Sequence, residues 1–216
     1  MSFSVRDYQG RVNGIFNRPV LVVDGMSGPN TRKGIADAMS KMGVRRKQDL
    51  FDRGVRGVVW HWTAGANGVI ELERNAYNFV HDTEGNTYDG NSTVAEQVMY
   101  DWRRGIGASH TKSMNTGWIG QSVDAMAGAE QTNPIKWGSH PITWEGIDAM
   151  LEQTADLHDE YGFPISQWTT LSHAEVQPTL GVKQRWKWDY VVLPGDTVSR
   201  DPVEVGNILR ERLKEK

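Results

Sequence analysis

Short apolar runs that end in small residues alternate along this chain with stretches patterned as amphipathic helices, and that alternation restricts the fold to the α/β class. The clearest helix lies in SHPITWEGIDAMLEQTADLHDEYG. Thr143 is placed to cap its start, with Glu145 in the first turn. Ile147, Met150, Leu151, Thr154, Leu157 and Tyr161 recur along one side, and Gly162 and Pro164 stop it. A last helix starts at Asp201-Pro202, uses Val205, Ile208, Leu209 and Leu213, and ends on Lys214 and Lys216. Upstream, VRGVVWHWTAG predicts a short buried strand through Val55, Val58 and Val59, ended by Gly65. AYNFVHDTEGNTYDG predicts a hairpin: a strand over Ala76–His81, a turn at Asp82–Gly85 and a second strand through Tyr88. Residues 119–128, IGQSVDAMAG, predict another strand. The expected architecture is a mixed central β-sheet flanked by helices, with a small, mainly helical N-terminal segment.

A chain of 216 residues is long enough for one full catalytic domain plus a small appendage. The appendage is expected at residues 1–45. There an extended run, Val20 to Val23, leads through turn signals into a helix from about Asn30 to Met42, with Ile35, Ala38, Met39 and Met42 at helical spacing and Gly43 as its cap. The charged residues 46–54 read as a linker and residues 55–216 as the main domain.

Composition removes several function classes. The net charge of -3 leaves no overall basic footprint, so no nucleic-acid partner is expected. No apolar run approaches the ~20 residues of a membrane span, so membrane insertion is not expected. The opening MSFSVRDYQGRVNG has no cationic segment followed by an apolar one, so no secretory signal is expected either. With no cysteine, disulfides, thiolate nucleophiles and Cys-held zinc are excluded, and any metal must be held by His and carboxylates. The nine tryptophans agree with a glycan substrate, because sugars pack on flat aromatic faces.

Of the six histidines, His61 ends a hydrophobic strand and His173 follows a short strand candidate, with Asp189 downstream in KWDY. Two imidazoles and a carboxylate suit catalytic zinc, leaving a fourth position for water. Spacing alone does not single them out, since HExxH and the other short zinc motifs are absent. His81, His140 and His158 read as structural or surface residues, and Glu175 as a local structural carboxylate.

Four blocks occur in order: VVWHWTAG, AYNFVHDTEGNTYDG, GASHTKSMNTGWIGQSVDAMAG, and SHAEVQP with a later KWD. Together they resemble the type 2 N-acetylmuramoyl-L-alanine amidases, a family that includes phage lysozyme-type amidases and peptidoglycan recognition proteins. VDGMSGPNTRKGI in residues 1–45 is similar to the signature of a small helical peptidoglycan-binding domain, matched over about half of such a domain. The resemblance implies Zn2+ held by His61, His173 and Asp189. It implies catalytic roles for Tyr77 and Lys187, the latter stabilising the oxyanion. It places His110, Asn115 and Thr63 at the substrate. Glu175 falls inside the fourth block. The implied partner is peptidoglycan, cut between N-acetylmuramic acid and L-alanine, with the protein a monomer. The implied setting is a phage endolysin, held in the host cytoplasm until release to the wall; a bacterial recycling amidase is the other setting. A non-catalytic wall-recognition module is the alternative function, and a zinc peptidase acting within the stem is a third. Two departures stand out: a long stretch between His173 and Asp189, and Trp118 in place of a small residue, where it would narrow the pocket or offer a stacking face.

Overall fold

A computed structural model describes residues 3–185 and 187–216. The N-terminal residues form two helices, α1 (Val5–Phe16) and α2 (Pro29–Met42). Ser4 and Asp7 cap α1 reciprocally, and Gly43 closes α2 in the left-handed conformation that glycine adopts without strain. Tyr8, Val12, Ile15, Leu21 and Ala38 make a separate small core. Residues 46–54, charged as they are, send Leu50 and Phe51 into it, where Phe51 stacks on Phe3 at 4.0 Å. The run Val20 to Val23 joins no sheet and bends at Leu21. The Asn13 side chain satisfies Leu21 instead, accepting from its N–H and donating to its carbonyl, both at 2.8 Å.

The remainder is built on one mixed sheet. Its strands are β1 (Gly57–Trp62), β2 (Phe79–His81), β3 (Thr87–Asp89), β4 (Trp118–Val123) and β5 (Thr170–Ser172), in the order β3-β2-β4-β1-β5. Only the hairpin pair β2–β3 is antiparallel. Side chains alternate across β1. Val58, Trp60 and Trp62 face the main core, with α5 (Trp144–Tyr161) and α7 (Pro202–Leu213) packed over it. Val59 faces the other way, among Met114, Trp118, Trp168, Leu171, Val176 and Leu180. His61, two residues on, shares the Val59 side. Short helices α3 (Glu71–Ala76), α4 (Val94–Val98) and α6 (Val176–Leu180) and 3-10 turns, one of them His173–Glu175, connect these elements. Among the described residues, no helix is long and apolar enough to cross a membrane.

The structure changes three expected details. Ala76 ends α3 rather than opening a strand: Glu73 caps the Ile70 N–H at 2.8 Å and the Tyr77 N–H returns to the Glu73 carbonyl, so β2 begins only at Phe79. β4 stops at Val123: the Asp124 N–H makes a last rung to the His81 carbonyl, the chain bends there, and Met126 adopts a left-handed φ of 76°. Trp118 offers no stacking face, being buried among Val59, Met114 and Trp168.

Beneath the sheet runs a buried polar chain. His81 hydrogen-bonds Gln121 at 3.0 Å, Gln121 donates to Thr154 at 2.8 Å, and Trp60 donates to the same hydroxyl at 3.0 Å. Burial pushes the His81 imidazole down to about 4. The folded state therefore resists a proton that the unfolded chain takes up near 6.5. Stability contributed by neutral His81 is intact above that value and is lost as pH falls toward 4. Between pH 7 and pH 4.5 the loss should be about 2–3 kcal/mol. Comparing unfolding of the wild type and His81→Gln at the two pH values checks this: the difference in their stabilities should shrink at pH 4.5, and a constant difference would refute it.

Candidate metal centre

His61 leaves the end of β1, His173 follows β5 directly, and Asp189 lies on the segment after α6. The parallel pairing of β1 with β5 carries both imidazoles to one end of the sheet. Asp189 is brought in by its neighbour. Tyr190 takes a left-handed backbone (φ 59°), is fully buried, and donates its hydroxyl to the His61 carbonyl at 3.1 Å. The Trp62 N–H reaches an Asp189 oxygen at 3.3 Å.

The three side chains converge. The Nδ1 atoms of His61 and His173 are 3.0 Å apart, and Asp189 oxygens lie 4.0 Å and 3.9 Å from them. All three residues are buried, with ligand atoms within 4.8 Å of one another. A tetrahedral zinc with ligands at about 2.0–2.1 Å separates them by about 3.3 Å.

Hydrogen bonding also fits these residues to a cation. The Trp118 carbonyl can only accept, so the His110 Nε2–H donates to it at 3.0 Å and His110 Nδ1 is left as an acceptor. His61 Nε2 lies 3.2 Å from that Nδ1 and 3.3 Å from the Thr111 hydroxyl, and donates to this pair. His173 Nε2 donates to Gln184 Oε1 at 3.1 Å. Both Nδ1 atoms therefore turn lone pairs toward each other and toward Asp189, an arrangement that repels itself unless a positive charge sits between them. Burial drives all three imidazoles to the neutral form, the one in which His61 and His173 can ligate: His61 well below its usual value, His110 to about 3, and His173 to about 4, with Lys187 lowering it further. Burial pushes Asp189 up to about 6, with Lys187 pulling the other way.

The remaining expected residues are distributed around this cluster. The Tyr77 ring lies 5.1 Å from that of His61, and burial, then the Asp189 charge, raises its phenol. Lys187 is exposed and lines an open cleft of about 590 Å³ with Ala174, Gln177, Gln184 and Trp188. His110 is buried with both ring nitrogens engaged, and its ring lies over Gly120, where a Cβ would come within 2.5 Å of it. The Asn115 side-chain oxygen accepts from the His110 and Thr111 N–H groups at 3.1 and 2.8 Å, shaping that loop. Thr63 donates to Asp124 at 2.9 Å and accepts from Gly65 at 2.8 Å. Thr111, Gln184 and Tyr190 were not expected from the sequence, because each reaches its partner at the site only through the folding of the chain.

The fold is thus a mixed α/β sheet carrying a buried His-His-Asp group able to hold a metal. No protein-family model matches the chain, and no curated protein matches it significantly. Among solved structures it is similar to the N-acetylmuramoyl-L-alanine amidase LysC from Clostridium intestinale URNW, with a TM-score of 0.42 and 15% identity over 76% of this chain and 89% of that one. It is similar to the endolysin N-acetylmuramoyl-L-alanine amidase LysCS from the same organism, with the same TM-score and identity over 76% and 88% of the two chains.

Proposed function

We propose that this protein is a zinc-dependent N-acetylmuramoyl-L-alanine amidase that hydrolyses the amide joining the glycan strand of peptidoglycan to its peptide stem. One observation carries the reading: two imidazoles and a carboxylate, all buried, converge with hydrogen-bond partners on their outer nitrogens that leave both Nδ1 lone pairs free for a cation. The four ordered sequence blocks that resemble type 2 amidases support it independently.

His61, His173 and Asp189 hold the ion. When bound, zinc supplies Lewis acidity toward an amide carbonyl and an activated water at neutral pH. Lys187, on the open side of the site, brings positive charge to the developing oxyanion. Tyr77, beside His61, directs its phenol at the carbonyl or at the attacking water. His110 holds His61 in its ligating tautomer, while Asn115 and Thr63 fix the loops that wall the substrate. Residues 1–45 then act as a wall-binding segment beside a catalytic unit in 55–216, joined by 46–54, as in a phage endolysin that waits in the host cytoplasm for release to the wall.

The chelator experiment tests this. One zinc per chain should copurify, removal should abolish release of peptides beginning at L-alanine, and added zinc should restore it. Peptide release that survives complete zinc removal overturns the reading, and zinc well below one per chain without release points to a recognition module.

A further inference from the structure

Two histidines meet at the proposed metal position, and each must present Nδ1 unprotonated. For His61 the partners are His110 and Thr111. For His173 the partner lies eleven residues downstream. Gln184 accepts the His173 Nε2–H at 3.1 Å. Its amide nitrogen donates to the Lys112 carbonyl at 3.0 Å, so the amide's orientation is fixed by an acceptor that cannot donate. Its own backbone N–H donates to Gln177 Oε1 at 3.0 Å, tying it to α6. Gln184 therefore bridges three pieces of the site: the His173 ring, the loop that carries His110 and Thr111, and the segment running on to Lys187 and Asp189.

We propose that Gln184 is a positioning residue for the metal centre, holding His173 in the Nε2–H tautomer. The proposal rests on the zinc reading of the same site. It is separable from that reading, because its effect is on ring tautomer and metal affinity rather than on the presence of ligands. A hydrogen-bonded partner on the outer nitrogen of a ligating histidine sets ring orientation and raises ligand basicity, and losing one typically costs about 10–100-fold in metal affinity.

Two variants divide the roles of the amide. Gln184→Leu removes both the acceptor and the donor. Gln184→Glu keeps an acceptor for the His173 Nε2–H and loses the donor to Lys112. Zinc affinity is measured by chelator competition on the full chain, and the His173 tautomer of the metal-free protein by long-range 1H–15N correlation. The wild type should show one tautomer, protonated on Nε2. Gln184→Leu should show a mixture and bind zinc about 10–100-fold more weakly, with an unchanged unfolding midpoint in the metal-free form. Gln184→Glu should keep the tautomer and most of the affinity. Wild-type affinity in Gln184→Leu, equal losses in both variants, or an unaltered tautomer in Gln184→Leu overturns the proposal. Failure of the wild type to bind zinc overturns the reading beneath it instead.

Discussion

Intact peptidoglycan incubated with the zinc-loaded protein should release stem peptides that begin at L-alanine, with the glycan strands uncut, and His173→Ala should release none above background. The size of the effect follows from what the ligand does. His173 supplies one of the two imidazole lone pairs at the site, 3.0 Å from the other. Without it, His61 and Asp189 make a two-point site that cannot hold zinc in the tetrahedral arrangement of a catalytic centre. A zinc ion in the proposed role would contribute several kcal/mol to transition-state stabilisation, and each 1.36 kcal/mol is a tenfold change in rate. The expected loss is therefore at least about 10³-fold. Mass spectrometry of the digest reads the bond cut, and far-ultraviolet dichroism of the variant reads the fold. Residual release above a tenth of wild type would remove His173 from the ligand set. An intact substrate after treatment with the zinc-loaded wild type would make the protein a wall-recognition module. Free amino acids in the digest would instead indicate a peptidase acting within the stem, and preference for soluble fragments over sacculi would indicate recycling rather than lysis.

The largest effect on stability is expected at Glu175. This carboxylate is fully buried, and Arg210 from α7, itself 4% exposed, meets it with two hydrogen bonds at 2.8 and 3.2 Å. Arg210 also donates to the Thr170 carbonyl in β5, and the Ser172 N–H donates to Glu175, both at 2.8 Å. The pair thus pins the last helix to the strand that leads into His173. Burial raises the Glu175 carboxyl, with Arg210 opposing that rise. Glu175→Leu strands a buried guanidinium and should cost about 3–5 kcal/mol. For a chain of this size that is a fall in Tm of roughly 6–20 °C. Adding Arg210→Met should recover most of the loss, because replacing both charges removes the uncompensated one. A single variant that melts within 2 °C of wild type, or a double variant no better than the single, would show that the pair does not hold α7 in place.

Much of this architecture could be read from local pattern. α2, α5 and α7 announce themselves through helical spacing and matched ends, and Thr143, Gly43 and Gly162 cap as their types require. The hairpin turn and the buried β1 follow from turn residues and a run of β-branched side chains. α1 escaped because its buried face is partly polar. Gln9, Arg11 and Asn13 are all nearly inaccessible, paired with backbone and side chains from residues 21–50, so hydrophobic periodicity underreports that face. α3 escaped because six residues are too few to show a period. At the site, the three candidate ligands were named by resemblance, and the structure brings them together. The hydrogen bonds that orient them were not foreseeable. Gln184 and His173 face each other only because the segment after α6 folds back, and His110 reaches His61 only because Gly120 leaves room on β4.

The alternation of β1 has one more consequence. His61 and Trp60 point to opposite sides of one strand, so sliding β1 by a single residue against β4 and β5 would drive the imidazole into the helical core and expose the indole at the site. Any ion held jointly by His61, His173 and Asp189 recognises only the correctly paired sheet. Its binding free energy is added to that pairing alone, growing with the logarithm of free ion concentration over Kd. The candidate metal centre would thereby act as a proofreader of its own scaffold, rewarding the one strand alignment in which it can exist.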